Sequence, residues 1–147
     1  LSPVREALMN VAAQMLEARS DTRGVDHAAL SLAIDGLHDA VTAAVACADA
    51  CLSESDIDAH RECIQVCADA ADVAGATARV LSRSGPTVEG SRALVDATAK
   101  ILSEASAVCA EHGAHDKHAR ICADTLSRAE QALAGLQTAI AAAAPDS

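Results

Sequence analysis

Residues 47–67 read CADACLSESDIDAHRECIQVC, four cysteines in two C-x-x-x-C pairs with His60 between them. Cys109 and Cys122 complete a set of six, and His112, His115 and His118 fall between those two. Thiols and imidazoles serve as nucleophiles, redox centres or metal ligands, and spacing helps to decide among these roles. Zinc ribbons and thioredoxin-type redox sites use C-x-x-C. Three intervening residues instead place two thiols one turn apart on one face of a helix. Two cysteines so placed are poorly oriented to bond each other, so the thiols read as reduced. Soft thiolate selects Cu(I), with Zn(II) as the borderline alternative, over Mg(II) or Ca(II). Zinc wants a closed tetrahedron of N and S ligands, whereas sulfurs strung along a helix face suit several bridged Cu(I) ions.

Long helices are needed to hold such a face, and the composition supplies them. The chain of 147 residues is 51% hydrophobic with no Trp, Tyr or Phe, and it contains only seven Gly and three Pro. Ala and Leu are strong helix formers, and helix breakers are scarce. The length fits a single domain, 1–147, large enough to bury a core. Breaks stand at 19–24 (RSDTRG), 53–56 (SESD), 82–87 (SRSGPT) and 112–115 (HGAH). Ser, Asp, Gly and Pro there are cap and turn residues. They delimit an N-terminal helix and linker (1–24) and a 25–143 bundle of helices over 25–53, 56–83, 88–112 and 115–143. Short connections make consecutive helices antiparallel, so the expected fold class is all-α: an up-down-up-down four-helix bundle with an additional N-terminal helix.

Apolar seams at steps of three and four run along each long helix. They include Leu30, Ile34, Leu37, Val41 and Ala44, then Cys63, Cys67, Ala70 and Ala74. Val95, Leu102, Ala105 and Cys109 follow, then Cys122, Leu126, Leu133 and Ile140. Every cysteine lies on or beside a seam, and so faces the bundle interior. With alternate helices antiparallel, all six fall in the half of the bundle that holds the 53–56 and 113–114 turns. His60, His112, His115 and His118 lie at or near that same end. The expected site is a thiol pocket of Cys47, Cys51, Cys63, Cys67, Cys109 and Cys122. His118, one turn from Cys122, leads a rim that also includes His112, His115 and His60. Met9 and Met15 share packing spacing with Val4, Leu8, Val11 and Ala12, which reads as core or oligomer contact. His38 reads as a core-edge or surface residue, and His27 as solvated. Glu54, Asp56, Asp58, Glu62, Glu111 and Asp116 near the mouth read as a solvated face with acids suited to helix N-termini.

Several function classes are disfavoured. A formal charge of −10 argues against nucleic acid and anionic membrane as partners, and no apolar run is expected to span a bilayer. A di-iron bundle enzyme needs paired Glu-x-x-His units, and the sequence has none. No strand–turn–helix element is present to build a hydrolase site. A redox-sensing thiol would be exposed and of low pKa, whereas these face inward. The reading is non-enzymatic, with an inert structural bundle as the rival from another class.

The stretches CADACLSE, ECIQVCADAADVAGATARVLSR and CAEHGAHDKHARICADTLSRAEQAL resemble the cysteine-rich four-helix-bundle copper storage proteins of the cytosolic type. The similarity covers about residues 30 to 137, and its most specific part is the H-x-x-H-x-x-H spacing within 109–122. The resemblance implies Cu(I) held by core thiols, histidines where metal enters and a homo-oligomer, a tetramer; a cytoplasmic location is expected from the reduced thiols. The sequence departs from the family pattern at Ala44, Ala70, Ala74, Thr98, Leu102, Ala105, Ala119, Leu126, Ala129 and Leu133, where the family's seam would carry further cysteines. Six sulfurs shared pairwise would hold on the order of four Cu(I) ions, so the expected storage, buffering or sequestration is of reduced capacity.

Overall fold

Helix caps appear where Asp and Asn precede Ala-rich segments. In the computed structural model, which describes residues 3, 10–19, 26–83, 86 and 88–143, Asn10 Oδ1 accepts from the Ala13 amide at 2.8 Å. Asp26 Oδ1 accepts from Ala29 at 3.0 Å and Asp56 Oδ1 from Ala59 at 3.3 Å. Each satisfies an amide that its helix leaves without an internal partner. The helices are α1 (Val11–Glu17), α2 (His27–Leu52), α3 (Ile57–Arg83), α4 (Glu89–His112) and α5 (Lys117–Ala143). No strand occurs among the described residues. The ends of the four long helices fall within two residues of the expected ones.

Helices α2 and α4 each pack against both α3 and α5, and α1 packs against α2. With turns at 53–56 and 113–116 and few residues between α3 and α4, this neighbour pattern is the antiparallel four-helix bundle. Leu37, Leu81, Val95, Leu102, Leu126, Leu133 and Leu136 are fully buried and form one continuous core with the cysteines. In the centre Thr77 and Thr98 share a hydrogen bond of 2.7 Å between their buried hydroxyls, so neither oxygen is left without a partner. Two glycines allow close approach. A Cβ on Gly36 would lie 3.3 Å from Ala129 Cα, where α2 meets α5. One on Gly113 would meet Ala110 O and Arg120 Cα at the same distance. Gly113 is the C-cap of α4 and keeps right-handed helical angles, so the tight turn, rather than a positive φ, calls for glycine.

Two expectations change. Helix α2 is long and apolar enough, by length and composition, to cross a membrane. Its inward face is used here in the bundle core. On α1 the buried residue is Leu16, while Val11 and Met15 are 73% and 64% exposed. The inward face of α1 is therefore one residue away from the methionine position, so of the two roles expected for Met15, core or oligomer contact, the core role falls away. Val4, Leu8 and Met9 lie outside the described residues.

Candidate metal centre

The i,i+4 spacing does in three dimensions what helical geometry requires. Cys47 and Cys51 descend from the C-terminal end of α2, and Cys63 and Cys67 from the N-terminal end of α3. Cys109 hangs from α4 and Cys122 from α5. All six are free thiols, each at most 1% exposed. Cys109 Sγ lies 3.4 Å from Cys67, 3.6 Å from Cys63 and 3.8 Å from Cys122. Cys67 and Cys122 are 3.9 Å apart. The sulfurs of Cys47, Cys63, Cys67 and Cys109 all lie within 4.8 Å of one another. One turn further into the bundle the seam continues with Ala44, Ala70, Ala105 and Leu126, all buried. These side chains carry no donor atoms, so the run of sulfur ligands ends above them on all four helices.

The rim histidines divide. His118 reaches the chamber: its Nδ1 is 3.5 Å from Cys47 Sγ and its Nε2 3.2 Å from Glu54 Oε1. Cys47, Cys51 and His118 form a second ligand group within 4.8 Å, which makes Cys47 common to both. His60 and His112 belong to neither group. His60 donates from Nδ1 to the Asp56 carbonyl at 2.8 Å, and its Nε2 lies 2.8 Å from Asp116 Oδ2. His112 stacks on the His60 ring with centroids 4.9 Å apart. His115 is exposed in the turn before α5 and joins none of the ligand groups found among the described residues. Its place on the α5 seam is lost because that helix begins at Lys117.

Protonation follows from these contacts. Contact with Asp116 raises the pKa of His60, the Asp56 carbonyl adds to this, and burial opposes it. Asp116 is correspondingly lowered by His60. Burial disfavours the charged form of His118, but Cys47 and Glu54 together hold its pKa above the ordinary value. Burial pushes the Cys51 thiol up. Contact with Cys109 raises Cys67, while Cys109 itself is lowered, chiefly through Cys122. A cation that binds packed thiols displaces their protons.

Glu54 and Asp116 are the groups that sequence reasoning missed. Both read as part of a solvated acidic face, yet each holds a ring nitrogen of a mouth histidine. The available signal was the position of Asp116 inside the H-x-x-H-x-x-H stretch, two residues before His118.

Residues 26–137 match the family described as Csp, copper storage protein. Among solved structures, the copper storage protein Ccsp of Streptomyces lividans, loaded with 10 copper equivalents, superposes with a TM-score of 0.83 at 34% identity. That match covers 88% of this chain and 99% of Ccsp. A Ccsp mutant with one histidine replaced by alanine gives 0.76 at 37% identity, covering 80% of this chain and 98% of the mutant. The cytosolic Streptomyces lividans protein with five coppers gives 0.72 at 36%, covering 75% and 92%. No curated protein sequence matches the chain significantly. With the family spanning most of its length and the bundle superposing on Ccsp, this chain belongs to the copper storage protein family.

Proposed function

We propose that the chain binds Cu(I) through Cys47, Cys51, Cys63, Cys67, Cys109 and Cys122 and stores, buffers or sequesters it with reduced capacity. The observation that carries this reading is the four-sulfur group of Cys47, Cys63, Cys67 and Cys109 within 4.8 Å, extended by Cys122 and by the Cys47–Cys51–His118 group. Contacting thiols from all four long helices suit bridging thiolates, each sulfur serving more than one ion. Because Cys47 belongs to both groups, it is the natural bridge along which an ion moves from the His118 rim inward. The family membership supports copper as the cargo, and the cytosolic relative supports a cytoplasmic setting for this chain. The role is non-catalytic, as the family suggests. A homo-oligomer, a tetramer, is what the resemblance implies.

Reduced capacity rests on the alanines and leucines at which the run of sulfur ligands ends. On the order of four ions fit six sulfurs shared pairwise. Zinc is the second reading, favoured by one observation: the sulfur separations of 3.4–3.9 Å are close to the edge of a tetrahedron with Zn–S bonds of about 2.3 Å. The deciding experiment is an anaerobic Cu(I) titration of reduced protein against a chromogenic chelator, with thiols counted and Zn(II) added in competition. Several Cu(I) ions withheld from the chelator, with all six thiols protected, is the expected result. Copper left entirely with the chelator would reduce the cysteines to packing groups in an inert bundle, and displacement by equimolar Zn(II) would favour zinc.

A further inference from the structure

Beside the thiol chamber the mouth holds a second group of donors with no sulfur in it. His60, His112 and Asp116 bring ligand atoms within 4.8 Å of one another. His60 is 8% exposed, and the Asp116 side chain is 16% exposed. Nδ1 of His60 is committed to the Asp56 carbonyl at 2.8 Å. That hydrogen bond fixes the ring so that Nε2 points at Asp116, the outer-shell arrangement that typically orients a metal-binding imidazole. His112 stacks against the same ring. Each donor comes from a different part of the mouth: the first turn of α3, the last residue of α4 and the turn before α5.

We propose that His60, His112 and Asp116 form a separate site for a divalent cation of borderline softness, of which Zn(II) is the representative. Two imidazoles and one carboxylate are a recurring zinc donor set, with water at the remaining position. Cu(I) is drawn instead to the sulfurs a short distance inside, so the two sites sort ions by ligand softness. In the ion-free protein a proton between Nε2 and Oδ2 occupies the place of the cation. A cation there ties α3, α4 and the start of α5 together across the opening. Asp116 also belongs to a group with Glu54 and His118, so filling the site acts on the carboxylates that hold the rim histidine. The consequence is a clasp: the bound divalent ion slows copper exchange through the mouth. Cation binding stands on nitrogen and oxygen donors alone; only the effect on exchange rests on the copper reading.

Co(II) is the spectroscopic probe, because thiolate ligation adds a near-ultraviolet charge-transfer band that N/O ligation lacks. The expected result for protein whose thiols are filled with Cu(I) is about one Co(II) per chain, visible d–d bands without the sulfur band, and displacement by Zn(II). Asp116→Asn and His112→Ala should abolish binding with helical circular dichroism unchanged, while His115→Ala should leave it intact. His112→Gln replaces either variant if it fails to fold. In copper-free protein the same Asp116-dependent bands should stand on top of any thiolate signal, so failure of copper loading and failure of this site are separate results. Zn(II) should slow copper transfer to a chelator several-fold in the parent protein and not in Asp116→Asn. Absence of Co(II) binding, a sulfur band alone, or binding unaffected by Asp116→Asn would each overturn the site. Unchanged copper transfer with Zn(II) bound would overturn the clasp.

Discussion

Cys109→Ser removes the sulfur with the most sulfur contacts shorter than 4 Å. Cys109 touches Cys67, Cys63 and Cys122 at 3.4, 3.6 and 3.8 Å, and it is one member of the four-sulfur group. Without it, Cys122 keeps one close sulfur contact, to Cys67 at 3.9 Å, and Cys63 keeps only Cys47 and Cys67, within 4.8 Å. If six thiols hold about four Cu(I) by pairwise sharing, losing the hub lowers capacity to about two. Cys51→Ser is the comparison: Cys51 belongs to the Cys47–His118 group only, so its loss should cost about one ion. The copper-free protein is weakened as well. A hydroxyl at a position 0% exposed, surrounded by weak sulfur acceptors, costs about 1–3 kcal/mol. In a chain of this size that lowers Tm by about 3–10 °C. Anaerobic titration against a chromogenic chelator gives capacity, and thermal melts followed by circular dichroism, with and without copper, give stability. Equal losses for Cys109→Ser and Cys51→Ser would refute the hub argument. Full capacity in Cys109→Ser would refute the four-sulfur cluster itself.

Three further tests reach from the chamber into the core. Ala105→Cys places a thiol one turn below Cys109 at a buried position, and should add about one Cu(I) in the same titration; no gain would mean that the residues below the sulfurs do not limit capacity. Thr77→Val strands the Thr98 hydroxyl that it now satisfies at 2.7 Å and should cost about 1–3 kcal/mol in urea melts. The Thr77→Val/Thr98→Val double variant should recover most of that loss. Gly36→Leu drives a side chain into Ala129, whose Cα lies 3.3 Å from a Cβ built at Gly36. It should cost about 1–3 kcal/mol or more by overpacking, and a melt indistinguishable from the parent would show that α2 and α5 separate easily.

Much of the fold was legible because its signals are local. Asp26 and Asp56 stand immediately before α2 and α3 as caps, and the period of Leu30, Leu37, Ala44 and Cys51 marks one buried stripe of α2. Inward thiols followed from the same arithmetic, since a cysteine on an apolar seam shares the direction of its leucines. The histidines were less legible. His112, His115 and His118 have equal spacing in sequence, yet the start of α5 at Lys117 separates them. His118 lies on the helix and reaches Cys47, His112 stacks on His60, and His115 points to solvent. The inward side of α1 was not legible for a related reason: a helix of seven described residues is too short for periodicity to choose between a core and a surface place for Met15.

The sequence alone thus determined the helices, their antiparallel order, the inward direction of six thiols and the end of the bundle at which they gather. Those properties depend on backbone propensity and on a repeat of 3.6 residues, both confined to one segment at a time. Only the tertiary structure decided that Cys109 is the hub, that Cys47 joins two ligand groups, and that Glu54 and Asp116 hold the mouth histidines. Those facts depend on the rotation and axial offset of one helix against another, set by packing such as Gly36 on Ala129, which no single segment encodes.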